Sequence, residues 1–365
     1  MEANEHVSSG SPGSKPVVCF LGPISSYTHQ ATMSRFPPDQ FDLMPVVTIK
    51  DIFDTTQSGA ATYGVAPFEN STNGSVVFTL DYFADRENVY KDLNVCQEIY
   101  LDVHHCLLGH AAPKLEGDAA GADGGGQRTP TAQQPHPQAA RSRPLHPLAH
   151  VRRVYSHPQA FGQCAAFLGA WLRGVETVDV SSTSRAAELA RADPSGASAA
   201  ISSAAAATLL GDLDVLARDI EDRADNTTRF FVLRRGVDDF PSTSAGGGGA
   251  SIERKGEEEG EDGGEDGARG TKSLLSFTVP HRSPGALADV LSCFRRAGLN
   301  LTSINSRPSL AGGAAAFEYV FFVEFEGHRF RDARGRVAAA LEDVAAVARA
   351  SRWLGSWEDM REGLA

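Results

Sequence analysis

No apolar run in the 365-residue chain approaches the roughly 20 residues a membrane span requires. Basic residues are also scarce. Lys and Arg number 34 against 46 Asp and Glu, a net charge of -12, which argues against nucleic acid and anionic membrane surfaces as partners. Much of that charge is local, in the acidic run Glu253 to Asp266. Cysteine is sparse: Cys19, Cys96, Cys106, Cys164 and Cys293 are scattered in apolar settings, with no pair at metal-ligand spacing. They read as buried free thiols of a reducing compartment, and no metal is expected. Met1 to Lys15 lacks the apolar segment of a secretory signal and the Arg-rich pattern of a transit peptide. A cytoplasmic location is the expectation.

Hydrophobic residues make up 41% of the chain, enough for real cores, and the length suggests two or three domains. Residues 1–15 read as a disordered tail. From 17 to 235 short apolar runs alternate with helix-compatible segments, the pattern of an α/β architecture with mostly parallel sheets. The runs are Val17–Leu21, Tyr63–Ala66, Val95–Leu108, Val151–Tyr155, Val175–Val180, Ala199–Ile201 and Val215–Ala217. One helix is expected to run unbroken past Phe161, Cys164, Phe167, Leu168 and Trp171. Residues 111–150, rich in Ala, Gly, Pro, Gln and His, lack apolar periodicity and read as a disordered insertion. Within them His136-Pro137-Gln138-Ala139 mimics His157-Pro158-Gln159-Ala160 but has no strand before it or helix after it. Residues 237–272 read as a flexible acidic linker. The order βαββαβ from 273 onward is the ferredoxin-like plan, so the domains are 16–236 and 273–360.

Several strands end in helix-capping residues: Ser25-Ser26, Asn70-Ser71-Thr72 and Ser181-Ser182-Thr183-Ser184. Free N–H groups at a helix start favour an anion, although an ordinary N-cap explains each piece equally well. In open α/β sheets ligands bind beyond the carboxyl ends of the strands, so these caps should converge on one cleft. The densest cluster is Asp225-Asn226-Thr227-Thr228-Arg229-Phe230, standing before the apolar run Phe231-Val232-Leu233. Its amide and hydroxyls can bond a small anion, and the Arg229 fork can grip a carboxylate.

These stretches resemble the signatures of prephenate dehydratase. Gly64-Val65-Ala66-Pro67-Phe68-Glu69-Asn70-Ser71-Thr72-Asn73-Gly74-Ser75-Val76 is similar to one, and Asp225 to Phe230 to a second. Phe20-Leu21-Gly22-Pro23 with Tyr27-Thr28-His29-Gln30-Ala31, and His157-Pro158-Gln159-Ala160 with Gln163-Cys164, also match. The C-terminal unit resembles a regulatory ACT domain through Pro284-Gly285-Ala286-Leu287 and Ser306-Arg307-Pro308. The resemblance implies a two-lobed catalytic domain like type II periplasmic binding proteins, without a cofactor. It further implies a homodimer or homotetramer, and L-phenylalanine feedback through the ACT unit.

It also implies conversion of prephenate to phenylpyruvate, with Thr228 as the catalytic residue. A threonine hydroxyl is too weak an acid to act freely near neutral pH. Thr228 is therefore expected to hydrogen-bond the departing oxygen. The implied substrate-binding set is Ser26, Tyr27, Asn70, Ser71, Gln159, Ser182, Thr183, Asn226, Arg229 and Phe230. The implied phenylalanine site is Gly285, Ala286, Leu287, Asn300, Leu301, Asn305, Ser306, Arg307 and Pro308. Glu69, beside a dianionic substrate, either points away or carries a raised pKa. His157 reads as a helix cap. Two departures stand out. Ser25 replaces a glycine, which costs strain if φ there is positive. Asn305 replaces a glutamate, removing a carboxylate that would hold the amino group of phenylalanine. Other readings of the same residues are arogenate dehydratase, a non-catalytic small-anion-binding module, and a pure amino-acid sensor.

Overall fold

The computed structural model describes residues 15–112, 139–236, 270–309 and 316–363. The expected tail up to residue 14, residues 113–138 of the expected insertion and residues 237–269 of the expected linker lie outside these. The chain forms two compact units, 1–79 with 99–231, and 80–98 with 232–365. Among the described residues no helix is long and apolar enough to cross a membrane.

The first unit is built on two sheets. In one, Val17–Leu21 runs parallel to both Asp42–Val46 and Tyr63–Asn70, and Thr227–Arg235 lies on the far side of Tyr63–Asn70. The strand Asp42–Val46 is absent from the sequence reading because Pro45 interrupts it. It is an edge strand, where a missing N–H is tolerated. The second sheet has the order Asp214–Ala217, Cys106–Gly109, Ser198–Ser202, Arg153–Ser156, Glu176–Asp179. Its last three strands are parallel, whereas Cys106–Gly109 runs antiparallel to both neighbours, so the sheet is mixed.

Helix starts follow side-chain caps. Ser26 caps Tyr27–Arg35, Ser182 caps Thr183–Arg191 and Ser203 caps Ala204–Leu210, each accepting a backbone N–H of the first turn. His157 caps Pro158–Gln163 through its ring. That helix stops at Cys164, and Ala165–Trp171 continues as a second one. Residues 139–150 correct the expected insertion boundary. Ala140 and Leu148 pack on the core around Leu107, Phe167 and Ile201, and Leu145 N–H donates to Leu216 O at 2.7 Å.

In the second unit Leu301–Pro308, Tyr319–Glu326, Thr271–Thr278 and Ala350–Glu358 form an antiparallel sheet in that order. Helices Ala286–Ala297 and Arg336–Val347 cover it through Val290, Phe294, Val337 and Val344. This is the expected βαββαβ order. Ala350–Glu358 also meets Val95, and at Gly355 (φ 140) a Cβ would collide with the Val95 carbonyl.

Candidate active site

Strand Tyr63–Asn70 ends in a turn built around Asn70. Its side-chain Oδ1 accepts the Thr72 N–H at 3.1 Å, the Asn73 N–H at 3.0 Å and the Thr72 hydroxyl at 2.7 Å. Its Nδ2 donates to Asn226 Oδ1 at 2.8 Å, to Thr227 O at 3.3 Å and to Thr228 Oγ1 at 3.0 Å. Two segments 156 residues apart thus meet at one amide. Ser71 stitches them further: its backbone and hydroxyl bond Thr227, and its hydroxyl donates to Asp225 O at 2.8 Å. The hydroxyl of Ser71 is therefore committed to the turn.

Thr228 is half-buried. Asn226 is 2% exposed, and its Nδ2 is a buried donor with no hydrogen-bond partner among the described residues. Arg229 is 6% exposed, with its guanidinium over the rings of Phe231 at 4.8 Å, Phe68 at 5.4 Å and Tyr100 at 5.7 Å. Neighbouring residues of a strand face opposite ways. Arg229 thus shares the Phe231 face of its strand. Glu69 lies 4.0 Å from Arg229. Phe230 is a fully buried core residue.

Across from the turn, Gln163 Nε2 donates to Thr72 Oγ1 at 3.0 Å, and Gln163 Oε1 meets His105 Nε2 at 2.7 Å. His105 Nδ1 lies 2.8 Å from the Tyr27 hydroxyl. Burial pushes the His105 ring below its usual pKa, and burial pushes Tyr27 well up. Gln30 Nε2 donates to Ser203 Oγ at 2.9 Å. These bonds join residues after the strand ends of the two sheets, and none of them involves Ser182 or Thr183. His105 escaped the sequence reading, and Gln163 was read as a matching motif residue but not as a member of the site. The visible signals are a Gln four residues after Gln159 on one helix and a His pair inside an apolar run of the sequence.

The remaining expected residues sit as supports. Ser26 Oγ accepts the His29 N–H and donates to Leu21 O, both at 3.1 Å. Ser182 caps its helix and Thr183 is the first helical residue. Gln159 is exposed, with its N–H on the His157 ring. It borders an open cavity of about 430 Å³ with Thr72, Gln163, Asp222 and Asn226.

Glu221 is 1% exposed and holds this region together. Its carboxylate takes the His105 N–H at 2.9 Å, the His104 ring at 3.2 Å and Arg141 at 3.2 Å. Burial alone would raise its pKa, but the bonds from the His105 and Glu221 N–H groups and the His104 ring outweigh burial and hold it below the usual carboxylate value. With Asp219, His104 and Glu221 gather three ligand-type atoms, yet a guanidinium on the same carboxylate makes this an ion-pair cluster.

In the second unit Arg307 forms two bonds to Asp81, at 2.8 and 3.0 Å, and Arg86 reaches Asp81, Pro308 O and Ser309 O. Asn305 donates to Ser303 Oγ at 3.3 Å and Asn300 to Glu326 at 3.0 Å. Gly285, at φ 84, precedes the helix that Ala286 and Leu287 begin.

The family model described as prephenate dehydratase matches residues 18–120 and 138–237, and the ACT domain model matches 273–342. The chain is 32% identical over 340 residues to a bifunctional chorismate mutase/prephenate dehydratase of Neisseria gonorrhoeae, covering 93% of this chain and 74% of that one. It is 26% identical over 337 residues to arogenate dehydratase/prephenate dehydratase 1, chloroplastic, of Arabidopsis thaliana, covering 89% and 68%. Among solved structures, a prephenate dehydratase in complex with L-Phe from Arthrobacter aurescens matches with a TM-score of 0.67 at 26% identity, over 94% of this chain and 89% of that one.

Proposed function

The chain belongs to the prephenate dehydratase family and carries an ACT domain, and we infer that it converts prephenate to phenylpyruvate, carbon dioxide and water. Its fold is that of the family, a two-lobed domain like type II periplasmic binding proteins followed by a ferredoxin-like ACT unit. Phenylalanine feedback acts through that unit.

The reaction breaks two bonds of one ring. The electron pair of the bond to the ring carboxylate enters the ring as carbon dioxide leaves. That pair completes the aromatic ring as the ring hydroxyl departs, taking one proton to become water. Aromatisation supplies most of the driving force, so the site must bind a dianion and stabilise charge on the departing oxygen.

One observation carries the assignment of that second task to Thr228: Asn70 Nδ2 lies 3.0 Å from Thr228 Oγ1. The amide nitrogen donates, so Thr228 accepts there and keeps its own proton free to hydrogen-bond the departing oxygen. A preorganised donor of this kind is worth about 2.7–4 kcal/mol in the transition state. The buried Nδ2 of Asn226 offers a second donor to an anionic substrate. Ser26, Ser71 and Ser182 serve by fixing the elements that frame the site. We propose a homodimer or homotetramer, which sedimentation velocity reads directly.

The test is phenylpyruvate formation from prephenate by the wild type and Thr228→Ala, with folding checked by circular dichroism. A fall of about 100-fold or more in a folded variant is expected; a smaller loss removes Thr228 from the reacting centre. The same assay with added phenylalanine is expected to show inhibition, and none up to millimolar effector would overturn the feedback reading. Arogenate, run beside prephenate, decides between the two substrates.

A further inference from the structure

Five side-chain hydrogen bonds form one line through the catalytic unit, and with a neutral His105 ring one arrangement of donors satisfies all of them. The direction is fixed at the Asn70 end. Backbone N–H groups of Thr72 and Asn73 can only donate, so the atom they meet is Asn70 Oδ1. Thr72 Oγ1, 2.7 Å from that same oxygen, must then spend its one proton there. Gln163 therefore turns its NH2 to Thr72 and its Oε1 to His105. A carbonyl oxygen only accepts, so His105 carries its proton on Nε2. Neutral His105 then accepts the Tyr27 proton on Nδ1 at 2.8 Å, the shorter of that hydroxyl's two contacts, the other being His104 O at 3.1 Å. The line reads Tyr27, His105, Gln163, Thr72, Asn70, Thr228, each donating to the next.

We propose that His105 is a positioning residue for the dehydration. Its Nε2–H locks the Gln163 amide, and through Thr72 and Asn70 it holds Thr228 with its proton aimed at the departing oxygen. His105 is 2% exposed, and burial keeps the ring neutral at neutral pH, as the line requires. Its backbone N–H is fixed separately, by Glu221. Without the Nε2–H the Gln163 amide can rotate and present oxygen to Thr72. Thr72 then has two competing acceptors, and Asn70 loses one of the three donors that orient it.

The proposal rests on the reading of Thr228 given above. It is tested with the full-length chain. Gln can place a donor where His105 Nε2 stands, whereas Asn reaches only as far as Nδ1. His105→Asn is expected to lower kcat about tenfold, within the roughly 100-fold that a 1 Å misplacement costs, with KM changed less than twofold. His105→Gln is expected to keep kcat within threefold. Equal losses in both variants, or a loss confined to KM, would overturn the proposal. Thr72 is exposed, so its variants should fold even if those of His105 do not. Thr72→Val should lose kcat as His105→Asn does, and Thr72→Ser should restore it. Wild-type kcat in Thr72→Val sinks the idea by itself. If Thr228→Ala loses activity while His105→Asn does not, only the relay fails. If Thr228→Ala is as active as wild type, the site reading itself is wrong.

Discussion

At Ser25 the backbone sits at φ 79, a left-handed conformation that costs an L-residue about 1–2 kcal/mol. Its Oγ is buried without a hydrogen-bond partner, while its N–H donates to the His29 ring at 3.2 Å. Glycine would remove the side-chain clash and the unpaired hydroxyl and keep the N–H. Against this, glycine adds unfolded-state entropy worth about 0.4–1 kcal/mol. Ser25→Gly should therefore raise stability by about 1 kcal/mol, read as a higher urea midpoint at unchanged slope. A lower midpoint would show that the hydroxyl contributes something the geometry does not reveal. The condition attached to this serine in the sequence is met, because the family's glycine marks a positive φ. Single residues were legible where a short motif defines its own geometry, as at Ser26, Asn70 and His157. His105 was not, nor was the place of Gln163 in the site. Their bond joins positions 58 residues apart, and no local pattern encodes it. The aromatic setting of Arg229 was not legible either, because the rings of Phe68 and Tyr100 reach it from distant parts of the chain.

Strand Thr271–Thr278 buries a lysine completely. Lys272 Nζ lies 3.0 Å from Glu98, 2.8 Å from Asp359 and 3.8 Å from Glu324, and Glu98 also accepts the Met360 N–H. Lys272→Met would leave buried carboxylates facing one another. The expected loss is about 3–5 kcal/mol, the usual cost of breaking a buried pair from one side. Burial would raise the Asp359 pKa, but hydrogen bonds from Arg361 and Lys272 outweigh it and hold it well below the usual carboxylate value. A depressed folded pKa gives stability that is complete above the unfolded value of about 3.9 and is lost as the pH falls through the folded one. The gap between wild type and Lys272→Met should thus be widest near neutral pH and narrow progressively as the pH falls below about 4. Urea titrations at both ends check it, and a gap under about 1 kcal/mol at pH 7 would mean the cluster is dispensable. Most elements were legible because their apolar spacing and caps agree. The exceptions have tertiary causes. The apolar run from Val95 to Leu108 is cut at 103–105, where Val103 N–H goes to Asn226 O and His105 N–H to Glu221. Residues 139–150 look structureless by composition, yet a few apolar contacts and Arg141 on Glu221 order them.

At the scale of the whole chain, composition cuts the molecule at the acidic linker, whereas contacts cut it inside a helix and two strands. Residues 80–98 belong with 232–365, so the boundaries fall within the helix Val77–Ala84 and the strands Leu93–Asp102 and Thr227–Arg235. Arg352 shows why. It donates to Tyr90 O at 2.7 Å and Leu93 O at 2.9 Å and pairs with Asp85 at 3.2 Å. Arg307 on Asp81, Lys272 on Glu98 and Gly355 against Val95 bind the same segment. No periodicity reports this, because residues 80–98 read locally as a continuation of the α/β pattern before them. A chain ending at residue 236 keeps every motif of the dehydratase but strips those partners from segment 80–98. Glu98 loses its lysine, and the Tyr90 and Leu93 carbonyls lose their donor. Each uncompensated buried group costs about 1–3 kcal/mol, and the sum is comparable to the 5–15 kcal/mol that holds an ordinary domain together. Residues 1–236 alone should therefore melt at least 10 °C below the full chain or aggregate on expression, although the reacting residues are all present. A fragment with the parent melting temperature and full turnover would show that segment 80–98 is held by the catalytic unit alone.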